Sequence, residues 1–133
     1  MALINRRARP GLDASTGMYA LHLAGNLVAG EAIAAGAACY IAADGRAFQS
    51  NGTAANAASK CHGFAPLDYL VGETMALYGV GARFGYGTGL VPGTALFVAA
   101  TAGRLDNVAT IGGTIPVAVV VNSTGIMIIA ATA

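Results

Sequence analysis

Two histidines and two cysteines are the side chains of this sequence best suited to bind a metal or to act as a base and a nucleophile. They are His22, Cys39, Cys61 and His62. Zinc ligands usually come in close pairs such as C-x-x-C or H-x-x-x-H, and these four residues form no such pair. The spacing of the cysteines permits a disulfide but does not define one. We therefore expect Cys39 and Cys61 to be small buried side chains, and we predict neither a metal nor another cofactor.

A small hydrolase is the enzyme class that these residue types leave open. It requires His22 or His62 within hydrogen-bond reach of a serine, or of Cys61, in a cleft. No G-x-S-x-G sequence marks a nucleophile, and every serine lies in a polar stretch; the serines are Ser15, Ser50, Ser59 and Ser123. Because neither histidine adjoins a serine in sequence, we predict that the protein is not an enzyme.

The elements that would position any site are clearest in residues 72–104. Apolar residues alternate with small or polar ones over residues 74–78 and again over 95–99, which is the period of two of a β-strand. Between these runs, glycines exclude a stable helix and Pro92 marks a turn. The glycines do not open a helix, so a nucleotide-binding loop is not indicated. We interpret this stretch as two strands joined by a glycine-rich link, not as an active site.

Strand and turn signals recur elsewhere in the chain. Asp44-Gly45 lies between two short β-like runs and predicts a hairpin, because a type I′ turn needs positive φ at both central residues. Residues 116–121 and 126–130 predict an antiparallel pair of strands. The alanine-rich residues 54–59 allow one helical turn within a loop.

An internal repeat indicates how these strands are grouped. Residues 36–46 and 93–104 both begin with a glycine, carry an aromatic residue four positions later and end in a glycine-arginine pair. Glu31 and Glu73, each of which follows a glycine, are interpreted as equivalent positions in two units. We therefore predict an all-β fold, a compact β-barrel or β-sandwich of two similar units with an extended N-terminal arm.

The composition favours burial of surface in an assembly. Hydrophobic residues make up 56% of the chain and charged residues only 10%, against about 25% charged residues in an ordinary soluble domain. Much of the apolar content is alanine, which buries little area per residue, so we expect further burial against partner subunits. No apolar run reaches the roughly 18 residues that span a bilayer, and we predict no membrane partner.

The beginning of the chain differs in character from the rest, and we divide the protein into an extended arm, residues 1–26, and a β-rich domain, residues 27–133. Three of the seven basic residues lie in the first ten positions, which leaves a net charge of −2 for the remainder. Three arginines are too few to predict nucleic-acid binding. The arm is either a disordered tail or a segment that orders on a partner through apolar and basic anchors. Those anchors are Leu3, Ile4, Arg6, Arg7 and Arg9.

A set of short motifs is spread over residues 28–130. They are Gly30-Glu-Ala-Ile, Tyr40-Ile with Asp44-Gly45, Gly63-Phe-Ala, Gly72-Glu, Thr88-Gly-Leu with Pro92-Gly-Thr, Leu96-Phe-Val, Gly103-Arg-Leu and Pro116-Val-Ala-Val. Together they resemble a family of small tailed-bacteriophage head proteins, called capsid decoration, cement or head-fibre-base proteins. The resemblance implies a β-rich protein on the outer face of the virion capsid, made in the bacterial cytoplasm, which binds the major capsid protein and stabilises the shell. It implies neither catalysis nor a cofactor. Such proteins are often trimers or dimers, and we expect a homo-oligomer, with a trimer favoured over a dimer.

The arm has no counterpart in this family pattern. We expect it to lie extended across neighbouring capsid subunits, where its arginines meet carboxylates and Leu3 and Ile4 fill shallow pockets. The alternative function is a head-fibre module that binds a receptor or a carbohydrate. Its stacking residues would be exposed tyrosines clustered in one groove, whereas burial of the same tyrosines favours a decoration protein. The tyrosines are Tyr19, Tyr69, Tyr78 and Tyr86.

Overall fold

The computed structural model describes residues 3–4, 6, 11–12, 22–53 and 55–130, with the backbone alone for residues 11–12 and 22–26. The strands in these ranges are β1 (Gly11–Leu12), β2 (His22–Ala29), β3 (Ala38–Ile41), β4 (Arg46–Gln49), β5 (Gly63–Phe64), β6 (Thr74–Tyr78), β7 (Arg83–Gly85), β8 (Ala95–Val98), β9 (Leu105–Asp106), β10 (Ala118–Val120) and β11 (Gly125–Ile128). A 3-10 turn at Ala57–Ser59 is the single helical segment of the described residues, and none of their helices could cross a membrane. The predicted all-β class is confirmed.

Five strands close into a small barrel in the order β2-β4-β3-β5-β6. β2 and β4 pair in parallel, with Val28 opposite Arg46, and the other pairs of the ring are antiparallel. The predicted hairpin at Asp44-Gly45 is the connection from β3 to β4, and Gly45 has a φ of 84°. Asp44 Oδ1 accepts a hydrogen bond from the Arg46 N–H at 3.0 Å, which stabilises this turn.

Small side chains fill much of the barrel interior. The buried residues of this cluster are Ala29, Ile33, Ala37, Cys39, Ala47, Ala65, Met75 and Leu77. A ring of five strands encloses little volume, and alanine is the apolar side chain that such a narrow interior accommodates. The high alanine content of the sequence therefore has a structural cause within the chain, in addition to any burial against partners.

The strands after the barrel repeat its arrangement. Read from β2, the barrel order is β2-β6-β5-β3-β4, and the second sheet runs in the equivalent order β7-β11-β10-β8-β9. The corresponding neighbours are antiparallel in both units. The prediction of two similar units is thus confirmed. The units differ in closure, because the described strands of the second sheet include no pairing of β7 with β9 that would match the pairing of β2 with β4.

Residues from the N-terminal segment lie along both outer edges of the second sheet. β1 pairs with β7 in antiparallel orientation, with Gly11 opposite Gly85. Leu3 forms an antiparallel bridge with Asp106 of β9. An open sheet edge leaves backbone N–H and C=O groups without partners, and these contacts satisfy some of them. Leu3 and strand β1 are therefore a structural part of the second unit.

A strand crosses the boundary that the sequence suggested between residues 26 and 27. β2 begins at His22, which lies opposite Tyr78 of β6. Its register shifts by two residues between Leu23 and Leu27, so that residues 24–26 lie opposite the single residue Ala76 of β6. This bulge interrupts the strand, which explains why the sequence shows no clear alternation here. Residues 22–26 pair within the barrel.

A larger apolar core joins the second sheet to the barrel. Phe64 of β5 and Phe84 of β7 are fully buried, with ring centroids 5.9 Å apart. The other large side chains of this core are Tyr86, Leu90, Leu96, Val98, Leu105, Val117, Val120, Ile126 and Ile128. Burial of each such side chain contributes about 1.5–3 kcal/mol. The two units are therefore packed into one body.

Two details of the sequence interpretation are wrong. The glycine-rich link contains strand β7, whose residue Phe84 is fully buried. Glu31 and Glu73 do not occupy equivalent positions in two units, because both lie in the barrel unit. There, Glu31 Oε2 accepts a hydrogen bond from the Gln49 N–H at 2.7 Å, and Glu73 Oε1 accepts one from the Leu70 N–H at 2.6 Å.

Candidate docking surface

The arm residues that the structure describes contact the protein's own second unit. The Ile4 N–H donates to the carbonyl of Leu105 at 3.3 Å, and the Ile4 side chain packs against the larger core. Leu3 is 44% exposed, and Arg6 is half-buried. Arg7 and Arg9 lie outside the described residues. The structure thus places Ile4 in a pocket of this chain, whereas the sequence suggested a pocket of a partner.

Arg6 lines a cleft of about 480 Å³ between the two units. The barrel side of this cleft includes Gln49 and residues 68–70, and the second unit contributes residues 101–102 and Arg104. Arg104 is half-buried, like Arg6. We refer to this feature, defined by Arg6 and Arg104, as the arginine cleft. It brings a predicted anchor of the arm beside an arginine 98 positions away in sequence.

Arg104 is tied to the arm by a hydrogen bond. Its Nη2 donates to the carbonyl of Ile4 at 3.2 Å, and its Nε is buried without a hydrogen-bond partner in the described structure. Burial raises the pKa of the nearby Tyr86 hydroxyl, while the positive charges of Arg6 and Arg104 act in the opposite direction. Both guanidinium groups therefore lie close enough to Tyr86 to affect its ionisation. The described wall of the cleft carries two positive charges, from Arg6 and Arg104, and one negative charge, from Asp68.

An apolar loop adjoins the cleft. It is the segment 67–71 between β5 and β6, and its large side chains Leu67, Leu70 and Val71 are 62%, 69% and 64% exposed. Isolated exposed apolar residues are common on proteins, but three in five consecutive positions form a local patch. Leu70 also lines the arginine cleft. The apolar loop and the cleft are therefore parts of one surface.

The backbone of the apolar loop is fixed by hydrogen bonds. Tyr69 and Ile33 exchange two backbone hydrogen bonds of 2.8 and 2.9 Å. Asp68 Oδ1 accepts a third from the Ala35 N–H at 2.7 Å. A loop held at several points presents its side chains with little loss of conformational entropy on binding. This geometry suits the loop to contact another protein.

The tyrosines named as candidate stacking residues do not form an exposed cluster in the described part of the chain. Tyr86 is fully buried. Tyr78 and Tyr69 are half-buried, and they pack against the larger core and the barrel core respectively. Tyr19 lies outside the described residues. The condition set for a carbohydrate groove is therefore not met by the three described tyrosines.

The candidate catalytic residues are engaged in structural contacts. Cys39 and Cys61 are buried, as predicted, and they do not form a disulfide. The side chain of His22 is not described. His62 Nδ1 accepts a hydrogen bond from the Ile41 N–H at 2.8 Å. The two buried serines donate to backbone carbonyls, Ser50 to Lys60 at 2.6 Å and Ser59 to Asn56 at 2.7 Å. Within the described ranges, no three His, Cys, Asp or Glu side chains form a group that could hold a metal ion.

Arg104 and the apolar loop were not identified as functional residues from the sequence. The internal repeat did draw attention to Arg104, because Arg104 follows Gly103 as Arg46 follows Gly45. The sequence could not show that the arm places Arg6 beside Arg104. The apolar loop could have been noticed from the spacing of Leu67, Leu70 and Val71. These apolar residues lie between strands β5 and β6 but do not alternate with polar residues as a strand requires.

Comparisons with known proteins leave the family open. No protein-family model matches the chain, no characterised protein is significantly similar in sequence, and no solved structure is significantly similar in fold.

Proposed function

We propose that this protein is a bacteriophage capsid decoration protein, which binds the outer surface of the major capsid protein shell and stabilises it without catalysis. The observation that carries the proposal is the surface formed by the fixed apolar loop and the adjoining arginine cleft. Buried apolar contacts with arginine beside them are typical of protein–protein interfaces. The motif resemblance over residues 28–130 supplies the identity of the partner.

The composition supports the same proposal. A chain with 10% charged residues and a fixed, exposed apolar loop gains stability when that loop is covered by another protein. The proposed location is the virion, after synthesis in the bacterial cytoplasm. We further propose that the protein acts as a homo-oligomer, with a trimer favoured over a dimer.

Co-sedimentation with undecorated phage heads tests the proposal. Purified protein is mixed with heads, the heads are pelleted, and bound protein is measured as a function of its free concentration. Decorated and bare heads are then heated in parallel, and DNA release is recorded. Saturable binding together with a higher temperature of DNA release is the expected result. Absence of saturable binding would overturn the proposal.

Two substitutions test whether the apolar loop makes the contact. Leu70→Asp places a charge on the loop, and we expect it to weaken binding to heads by about tenfold or more. Val91→Asp is the matched control, because Val91 is also 69% exposed but lies between β7 and β8. Equal loss of binding in both variants would show that the loop is not the contact. If wild-type protein binds a glycan in a screen but does not bind heads, the carbohydrate-binding alternative replaces this proposal.

A further inference from the structure

We propose that the arginine cleft is a binding site for a carboxylate, held between the guanidinium groups of Arg6 and Arg104. The natural ligand is an acidic side chain of the capsid protein, and this identification rests on the proposed function. The carboxylate site itself can be tested without any capsid.

The first observation is that Arg104 is held in place at the cleft. Arg104 Nη2 donates to the Ile4 carbonyl at 3.2 Å, and the Arg104 guanidinium lies beside the buried Tyr86 hydroxyl. A guanidinium group held at two points loses little conformational freedom when it binds an anion. Arg104 is therefore preorganised to bind a ligand in the cleft.

The second observation is an excess of positive charge. Among the described residues of the cleft wall, Arg6 and Arg104 are basic and Asp68 is the single acidic side chain, whose Oδ1 accepts a hydrogen bond from the Ala35 N–H at 2.7 Å. Two half-buried guanidinium groups on the wall of one cleft repel each other. An anion between them would reduce that repulsion.

The third observation concerns which anion fits. Guanidinium groups bind carboxylates through two parallel N–H···O bonds, an arrangement that lysine does not offer. The exposed apolar side chain of Leu70 lies at the cleft, where it can contact the methylene groups of a glutamate. Asp68 adds a negative charge to the wall and disfavours a polyanion. The cleft therefore fits a single carboxylate on an aliphatic stem better than it fits phosphate.

The test uses the full chain and N-acetyl-glutamate amide, which carries a side-chain carboxylate without terminal charges. N-acetyl-glutamine amide is the uncharged matched ligand, and inorganic phosphate is the competing anion. Binding is followed by nuclear magnetic resonance of the arginine Nε–H groups. We expect the Arg104 signal to shift with the glutamate derivative, with a dissociation constant on the order of 1 mM, and not with the glutamine derivative. Equal shifts with both derivatives, or tighter binding of phosphate, would overturn the assignment.

Three variants locate the site. Arg104→Gln and Arg6→Gln are each expected to weaken binding of the glutamate derivative by about tenfold. Arg46→Gln is the matched control, because Arg46 is exposed in the barrel hairpin, and it should bind like the wild type. Arg6→Gln leaves the hydrogen bond from Arg104 to Ile4 in place, so it keeps the test valid if Arg104→Gln does not fold. Unchanged binding by a folded variant of either cleft arginine would refute the site.

Head binding separates this inference from the proposed function. If the wild type binds the glutamate derivative but not heads, the carboxylate site is supported and the capsid function is refuted. If the wild type binds heads and the folded Arg6→Gln and Arg104→Gln proteins bind them equally well, the capsid function is supported and the capsid carboxylate is refuted as the ligand.

Discussion

The backbone N–H of Ile41 donates a hydrogen bond to Nδ1 of His62 at 2.8 Å, so the folded protein requires this ring nitrogen without a proton. Partial burial lowers the pKa of His62, and the positive charge of Lys60 lowers it further. The imidazole is therefore neutral in the folded protein over a range of pH in which it is already protonated in the unfolded chain. This difference couples protonation of His62 to the stability of the barrel.

We expect stability to fall with acidification below about pH 6.5, the ordinary pKa of histidine. The sign follows from the lowered pKa: below pH 6.5 the unfolded chain binds a proton that the folded protein excludes, so acid favours unfolding. Urea unfolding at a series of pH values between 7.5 and 5 measures the effect. His62→Asn should remove this part of the pH dependence, because the asparagine Oδ1 takes the place of Nδ1 and can accept the bond from Ile41 without titrating. A His22→Asn control that removes the same dependence would contradict the assignment to His62.

Cys39 and Cys61 should be unreactive in the folded protein. Burial raises the pKa of both thiols, to about 12 for Cys61. The thiolate is the reactive form, so at pH 8 neither side chain is both accessible and ionised. We expect no reaction of native protein with an aromatic disulfide reagent over minutes, and two reacting thiols per chain in urea. Stoichiometric reaction of the native protein within the mixing time would show that the structure around Cys39 or Cys61 opens readily.

The sequence predicts those elements whose signals are local. The hairpin at Asp44-Gly45 depends on two residues and was correct, and the repeat of residues 36–46 at 93–104 led to the two units. Strand β2 was not recognised, because the bulge at residues 24–26 interrupts the alternation by which strands are identified. The surface was not recognised either, since Arg6 and Arg104 meet only when the arm lies on the second sheet. Contacts between distant segments have no local signal, and for that reason the candidate site depended on the structure.

Gly45 and Gly103 offer a matched pair of substitutions at the repeated turn. Both have positive φ, 84° and 74°, so replacement by alanine strains the backbone by about 1 kcal/mol. An added Cβ at Gly45 meets nothing within 4 Å, whereas at Gly103 it would lie 2.7 Å from Gln49 Oε1 and 3.1 Å from the Ala37 Cβ. We expect Gly45→Ala to lower the free energy of unfolding by about 1 kcal/mol and Gly103→Ala by about 2–3 kcal/mol. Equal decreases in the free energy of unfolding, measured by urea unfolding, would show that the Gln49 side chain changes position at little energetic cost.

Leu3 and Ile4 are neighbours with different environments, and they test whether the arm is held by the second unit. Ile4 packs against the larger core, while Leu3 is 44% exposed. Because Ile4 is only partly buried, Ile4→Ala should lower the free energy of unfolding by about 1–2 kcal/mol, less than a full core truncation. Leu3→Ala should change it by no more than about 0.5 kcal/mol. A thermal or urea unfolding series measures both, and a neutral Ile4→Ala would indicate that the arm does not dock on its own chain.

Two truncations separate the arm from the barrel. A protein that lacks residues 1–12 loses β1 and the bridge from Leu3 to Asp106 but keeps β2, so we expect a folded barrel beside a less stable second sheet. A protein that begins at Leu27 also loses the pairing of His22 and Leu23 with β6, which helps to close the barrel. We expect the longer deletion to be much less stable than the shorter one.

Amide hydrogen exchange distinguishes the two truncated proteins. In the shorter deletion, faster exchange should be confined to β7 and β9, the strands that lose their edge contacts, while β3 and β4 remain protected. In the longer deletion, protection should fall in the barrel as well, because β2 contacts both β4 and β6. If the protein that begins at Leu27 shows full protection of β4 and β6, residues 22–26 are not needed for the barrel and the arm extends to residue 26.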